Sequence, residues 1–140
     1  MQDLFVTDKD SFEVSVYYTR EGGRLEIKNS SALKDEEKSS GKFKSISVKF
    51  TVPTWSQAQE IMRSSTTFAN GRPHMDFGVF QVAMMKVLAS GWDVKDDEGK
   101  EVPYSLERLG SLRPEIGRAI FEGLQEKLTE YGVYDTILIS

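Results

Sequence analysis

The first third of the chain alternates between apolar and polar residues, as a half-buried strand does. The alternating segments are SFEVSVYYTR (11–20), RLEIK (24–28) and FKSISVKFTV (43–52). In the first segment Phe12, Val14 and Val16 fall on one face. Glycines at 22 and 23 favour a tight turn between the first two segments. We therefore predict strands at 12–18, 24–28 and 43–52, which form a small antiparallel sheet with one apolar face.

Between the second and third segments the pattern disappears. Residues 29–42, NSSALKDEEKSSGK, are polar and rich in serine. Such a composition favours a loop over a packed element. We expect a mobile loop that could contain one short helical turn.

From residue 53 onward the apolar residues recur with a helical period. Trp55, Ala58, Ile61 and Met62 share one face, and Thr54 and Gln57 have the spacing of a capping box. After a predicted loop at 66–75, Asp76 can cap a helix over 77–89. So many residues of that helix are apolar that we predict a central helix, buried on most sides.

The last third predicts two more helices and an ending of undecided structure. Ser105 can cap a short helix that ends at Leu109, and Pro114 suits the first position of a longer one that ends near Tyr131. The ending YDTILIS fits a short strand or a tail that docks on a partner. We predict one α+β domain over 1–140, with a β-rich part at 1–52 packed on a mainly helical part at 53–140.

Composition narrows the function classes. The chain has 140 residues, 39% of them hydrophobic and 29% charged, and it has no cysteine. Residues 76–140 hold 12 acidic and 7 basic side chains, which argues against a general nucleic-acid binder. We find no secretory signal, and the most apolar stretch, 79–88, is too short to span a bilayer. These patterns predict a protein of a reducing compartment that binds neither membranes nor nucleic acid.

The acidic stretch SGWDVKDDEGKEVPY (90–104) could be a calcium loop or a turn. An EF-hand needs oxygen ligands at positions 1, 3 and 5, glycine at 6 and glutamate at 12. Starting at Asp93 puts Glu98 where glycine belongs, and aligning Gly99 to position 6 puts a valine first. We therefore predict no metal site and a turn in which Trp92 anchors on the core, Gly99 takes a positive φ and Pro103 ends the extended piece.

No pattern demands catalysis or a cofactor. His74 is the only histidine, and the chain has neither a nucleophile elbow nor a phosphate-binding loop. Arg72, His74 and Asp76 form the one close polar group that could begin a ligand-binding or enzymatic pocket. The residues alone favour a binding or assembly module that is not an enzyme, and a small enzyme remains the alternative of another class.

One succession of motifs resembles a known family. FTVPTWSQAQEIM leads into VLASGWDVKDDEGKEVPYSLERLGSLRPEIGRAIFEGL. Over about residues 43–128 this is similar to small tailed-phage proteins of the tail assembly chaperone type, including those linked to baseplate-hub assembly. Five residues carry the likeness: Trp92, Asp93, Gly99, Pro103 and Leu106.

The resemblance implies a non-enzymatic role without catalytic residues, metal or cofactor. The partners would be other phage tail proteins, such as the tape measure or the baseplate hub, and a homo-oligomer is compatible with it. Two forms stay open: a chaperone in the host cytoplasm during assembly, or a minor subunit retained in the virion tail or baseplate. With Trp55, the five residues of the likeness are the candidate structural or interaction positions, and a free edge of the predicted sheet could pair with a partner strand.

Overall fold

The computed structural model describes residues 4–29, 33–39 and 41–138, and within them the chain alternates between strands and helices. The strands are β1 (Ser11–Glu21), β2 (Arg24–Asn29), β3 (Lys44–Thr51), β4 (Thr66–Ala69), β5 (Arg72–Met75) and β6 (Ala89–Asp93). The helices are α1 (Asp35–Ser39), α2 (Trp55–Ser65), α3 (Phe77–Leu88), α4 (Leu106–Gly110), α5 (Pro114–Glu130) and α6 (Tyr134–Leu138).

The main sheet has the strand order β2-β1-β3-β6, with every neighbouring pair antiparallel. Its inward face is apolar: Val14 lies opposite Val48, and Phe12 lies opposite Phe50. This face packs against the helices of the second half, so the predicted α+β class is confirmed.

The core lies between the sheet and helices α2, α3, α5 and α6. Its fully buried apolar residues are Val16, Val48, Phe50, Ile61, Phe80, Met84, Leu88, Ile120, Leu124, Leu128 and Ile137. Helix α5 lies directly on the sheet, because a Cβ built on Gly123 would overlap Cγ1 of Val14. Glycine at 123 therefore lets the helix backbone approach β1 more closely than any other residue would.

The predicted helix starts are confirmed. Thr54 Oγ1 accepts from the amide of Gln57 at 3.2 Å, and Gln57 Oε1 accepts from the amide of Thr54 at 2.9 Å, which completes the capping box. Asp76 and Ser105 cap α3 and α4 through side-chain oxygens. Pro114 occupies the start of α5 as expected.

Three predictions about segments were wrong. Residues 66–75 are a hairpin rather than a loop, since β4 and β5 pair from Thr66–Met75 to Ala69–Arg72. Residue 89 was assigned to a helix end and residues 92–94 to the flank of a turn, but residues 89–93 form β6, the fourth strand of the main sheet. The chain ending is helix α6, with Ile137 only 1% exposed, so its described part belongs to the core; the ending's residues 139 and 140 lie outside the described residues.

The segment expected to be a loop at 29–42 contains the short helix α1. The predicted helical turn is confirmed, Leu33 is buried, and Lys28 Nζ lies 3.2 Å from Glu37 Oε2. Residues 30–32 and 40 of this prediction lie outside the described residues. The mobility expected of this segment stays a prediction.

Candidate functional site

The hairpin at residues 66–75, here called the arm, stands between α2 and α3. Its turn residues Asn70 and Gly71 both have positive φ, 54° and 75°, as a type I′ turn requires. At its base the amide of Asp76 donates to the carbonyl of Ser65 at 2.7 Å. Every arm residue except Thr66 is exposed, so the arm projects from the body of the protein.

The two faces of the arm differ in chemistry. Residues paired across an antiparallel hairpin share a face, so Phe68, Pro73 and Met75 lie together on one side. Phe68 is 75% exposed. The other side carries Arg72 and His74. The arm is therefore an amphipathic ribbon whose apolar face is uncovered in this structure.

Helix α3 continues this apolar exposure. Phe80, which is fully buried, faces the core, whereas Val82, two residues later, is 51% exposed and faces away from it. Val79 is also exposed, and Phe77 is 52% exposed although its ring lies 5.8 Å from that of Phe80. The prediction that α3 is buried on most sides was wrong, because no element of the described chain covers its outward side.

Trp55 also projects from the surface. The sequence placed it on one face with Ala58 and Ile61, and both of these are buried, but Trp55 in the first turn of α2 is 79% exposed. We call residues 55–82 the apolar segment. Five large apolar side chains of this segment are more than two-fifths exposed: Trp55, Phe68, Phe77, Val79 and Val82.

The stretch around Trp92 forms the predicted turn. The amide of Asp96 donates to the carbonyl of Lys100 at 2.9 Å, and Gly99 has a φ of 82°. The indole Nε1 of Trp92 donates to the carbonyl of Val102 at 2.8 Å, and its ring meets Tyr104 edge-on at 5.4 Å. Trp92 thus holds the two limbs of the turn together, as expected of an anchor.

The remaining candidates of this stretch have local structural contacts. Asp93 is exposed and lies opposite Ser47 in the sheet. The carbonyl of Pro103 accepts from Arg108 Nη1 at 2.8 Å. Leu106 is exposed in the first turn of α4. The six candidate positions therefore do not form one site: Trp55 is on α2, and the other five are on the stretch that leads from β6 to α4.

A cleft of about 650 Å³, here called the β6 cleft, opens beside the turn. It is lined by Glu13, Ser47, Lys49, Trp92, Asp93, Val94, Lys95, Glu101, Val102, Pro103 and Tyr104. The hydroxyl of Tyr104 is buried and makes no hydrogen bond to any described residue. Burial raises the pKa of Tyr104 above its ordinary value.

The polar group that could begin a catalytic pocket, Arg72, His74 and Asp76, lies on the arm and at the start of α3. Arg72 and His74 are two residues apart on one strand, so they share a face of the arm, and both are exposed. Asp76 is occupied elsewhere, since its Oδ1 accepts from the amide of Val79 at 3.1 Å at the start of α3.

Sequence reasoning missed the arm and β6. The arm had a usable signal, because Asn-Gly between two short runs is a strong hairpin signature. Pro73 obscured it, since proline is rare inside strands, but a two-stranded ribbon has only edges and tolerates it. Strand β6 had no such signal, because only its pairing with β3 gives Ala89–Asp93 a strand conformation.

No family model matches this chain, and comparisons with curated proteins and with solved structures found no match. Within the described ranges, no helix combines the length and the apolar character needed to cross a membrane. Nor do three or more acidic or histidine side chains of those ranges converge as metal ligands would.

Proposed function

We propose that the chain is a non-enzymatic assembly protein of a phage tail or baseplate that acts by protein–protein contact, in the manner of a chaperone. The phage context rests on the sequence likeness over residues 43–128. The mode of action rests on the apolar segment.

The observation that carries the proposal is the concentration of exposed apolar side chains in one stretch. Single exposed apolar residues are ordinary, but contiguous apolar surface on rigid elements marks interaction sites. Here the arm and α3 are consecutive in sequence, and the hydrogen bond from the Asp76 amide to the Ser65 carbonyl closes the base of the arm, where α2 ends and α3 begins. A partner that covered them would gain about 25 cal/mol for each Å² of apolar surface removed from water.

The mode of contact follows from the element types. Val79 and Val82 lie on one side of α3, with the spacing of residues that enter a groove in helix recognition. Phe68 on the arm adds an aromatic side chain, the type that dominates binding energy in many interfaces. The surface therefore suits a partner with an apolar groove rather than a small polar ligand.

The enzymatic alternative would need a pocket in which polar side chains converge. Arg72 and His74 are exposed on the arm, and Asp76 caps α3. We expect His74→Ala to leave the biological activity unchanged in a protein that stays folded. Loss of activity in folded His74→Ala would favour the enzymatic alternative.

Co-expression with individual tail proteins of the same phage, including the tape measure and the baseplate hub, tests the proposal. We expect the tagged chain to retain one of them through affinity purification and size exclusion. Val82→Glu should abolish the complex, because it places a charge in the apolar contact. Ser45→Glu, which adds the same charge on the exposed outer face of the sheet, should preserve it. If no tail protein is retained, or both variants behave alike, the proposal fails.

Mass spectrometry of purified particles separates the two forms of the proposal. A chaperone acts in the host cytoplasm and is absent from finished virions. A minor subunit stays in the tail or baseplate at a fixed copy number. The chaperone form predicts absence from particles but presence in assembly intermediates, and a stoichiometric amount in virions would replace it with the subunit form.

A further inference from the structure

The arm and the β6 cleft lie at opposite ends of helix α3. The arm ends at Met75, immediately before α3, and β6 begins at Ala89, immediately after it. With a rise of 1.5 Å per residue, twelve residues of helix separate them by about 18 Å. No residue of 66–75 lines the cleft of its own chain. An arm that enters such a cleft must therefore belong to another copy.

The arm is apolar and cationic. Phe68 lies at its apolar face next to the turn, and Arg72 and His74 occupy the other face. The sequence from 66 to 75 contains no carboxylate, although the chain as a whole has a net charge of −4. Its tip consists of two strands, whose backbones are about 5 Å apart in a sheet.

The β6 cleft has the complementary chemistry. Its apolar wall is formed by Trp92, Val94, Val102, Pro103 and Tyr104, and Glu13, Asp93 and Glu101 contribute carboxylates. Lys49 and Lys95 also line it, so the lining carries three carboxylates and two lysines. The adjoining turn adds acidic character, because residues 96–100 hold three further carboxylates and one lysine.

We infer that the arm of one copy docks in the β6 cleft of the next, head to tail. Phe68 would enter the apolar part of the cleft, and Arg72 would face Asp93 and the acidic turn. The cleft volume of about 650 Å³ suits one aromatic side chain with the residues around it. The inference goes beyond the proposed function, since it concerns copies of this chain alone and needs no tail protein.

A contact of this kind joins two different surfaces, so a pair of copies still has one free arm and one free cleft. Such interfaces build rings when the rotation closes and open chains when it does not. A single narrow arm buries little area, which makes each contact weak and association dependent on concentration. Because charge contributes, added salt should weaken the association.

The test uses the purified full chain alone, in light scattering across a concentration series. We expect the wild-type mass to rise with concentration beyond that of a dimer. Phe68→Ser should weaken association more than about tenfold, since an aromatic anchor carries much of a small interface. Thr67→Ser, a neighbour on the opposite face of the same strand, is the matched control and should associate like the wild type.

A mixing experiment identifies the head-to-tail geometry. An arm variant, Phe68→Ser with Arg72→Glu, keeps its cleft, whereas a cleft variant, Asp93→Lys with Glu101→Lys, keeps its arm. Each alone should stay monomeric, and their mixture should form one-to-one dimers and nothing larger. All four substituted residues are exposed, and melting curves check that both variants are folded.

The inference is overturned if the wild type stays monomeric throughout the series, if the arm variant alone associates like the wild type, or if folded variants form no dimer on mixing. Capture of a tail protein by a chain that remains monomeric would support the proposed function and reject this inference. Self-association of a chain that captures no tail protein would support this inference and reject the proposed function.

Discussion

The outer face of the sheet and the apolar segment are both surfaces of one core, yet they are built differently. On the sheet, Ser15 Oγ and Ser47 Oγ lie 2.8 Å apart in a hydrogen bond, and Glu13 lies opposite Lys49. On the apolar segment, Phe68 and Val82 extend from an arm and a helix that nothing described covers. The outer face of the sheet presents polar side chains that face one another across the strands. The apolar segment presents exposed apolar side chains instead.

The difference follows from how much apolar surface each element carries. A strand with alternating residues needs burial on one face only, and helices α3 and α5 supply it. Helix α3 is apolar on nearly all sides, a composition typical of a helix that is covered all round. Among the described residues only its inward side is covered, and Val79 and Val82 on the outward side are exposed.

The largest difference in stability should be between substitutions on the inward and the outward side of α3. Phe80 is fully buried and meets Phe121 and Tyr134 edge-on, both at 6.4 Å. Phe80→Ala should lower the free energy of unfolding by about 3–5 kcal/mol. Val82→Ala, on the outward side, should change it by less than about 0.5 kcal/mol. Urea unfolding measures both, and similar losses would mean that the outward side is structurally covered.

The next effect concerns the close contact between helix α5 and strand β1. Gly123→Ala places a methyl group where Cγ1 of Val14 lies, so α5 or β1 must shift. We expect a loss of about 1–3 kcal/mol in the free energy of unfolding. Gly117→Ala on the same helix is the control: its Cβ meets nothing within 4 Å, so it should not destabilise. Equal effects at both positions would show that α5 does not pack closely on β1 at Gly123.

A smaller loss of stability should distinguish two acidic residues of the turn, Asp96 and Asp97. Asp96 Oδ1 accepts from the amides of Glu98 and Lys100, both at 2.9 Å, whereas Asp97 only reaches Lys44 Nζ at 3.4 Å on the surface. Asp96→Ala should therefore lower the free energy of unfolding by about 1 kcal/mol. Asp97→Ala should leave it nearly unchanged. Thermal melts of the two variants compare them, and the turn assignment is wrong if Asp97→Ala is the more harmful.

The smallest effect is expected at Tyr104. Its buried hydroxyl lacks a hydrogen-bond partner among the described residues, so Tyr104→Phe should keep or raise stability, by up to about 1 kcal/mol. Burial raises the pKa of Tyr104, so the folded state holds this proton more tightly than the unfolded state does. The contribution of this group to the free energy of unfolding is fully present below pH about 10, the pKa in the unfolded state. It is lost as the pH rises through the higher pKa of the folded state.

Alkaline unfolding curves check this assignment. The loss of stability above pH about 10 should be shallower in Tyr104→Phe than in the wild type, although not absent. Tyr134 contributes a similar loss, because burial and then Asp135 raise its pKa. A clear loss of stability at neutral pH in Tyr104→Phe would mean that the hydroxyl has a partner.

Local signals predicted the elements, and long-range contacts decided the rest. The strand alternation, the Thr54–Gln57 capping box and Pro114 at a helix start depend on neighbouring residues, and all three are confirmed. Strand β6 depends on β3, whose paired residues lie 39 to 46 positions earlier in the chain, and was missed. The burial of Ile137 likewise depends on the helices that α6 packs against.

The candidate surface was only partly accessible to sequence reasoning. Trp55 was named, but as a residue on the apolar side of α2. The helical period alone does not show which side chains in the first turn of a helix are exposed. Phe68 was overlooked because its segment was interpreted as a loop. The β6 cleft requires the register of β3 against β6, which no local pattern contains.

Radical footprinting of the free chain and of its complex with a co-expressed tail protein tests the central claim most directly. Trp55, Phe68 and Phe77 report on the apolar segment, and Tyr17 reports on the outer face of the sheet. The account predicts that binding lowers oxidation of the reporters in the segment and leaves that of Tyr17 unchanged. Protection of Tyr17 with continued oxidation of Phe68 and Phe77 would contradict it.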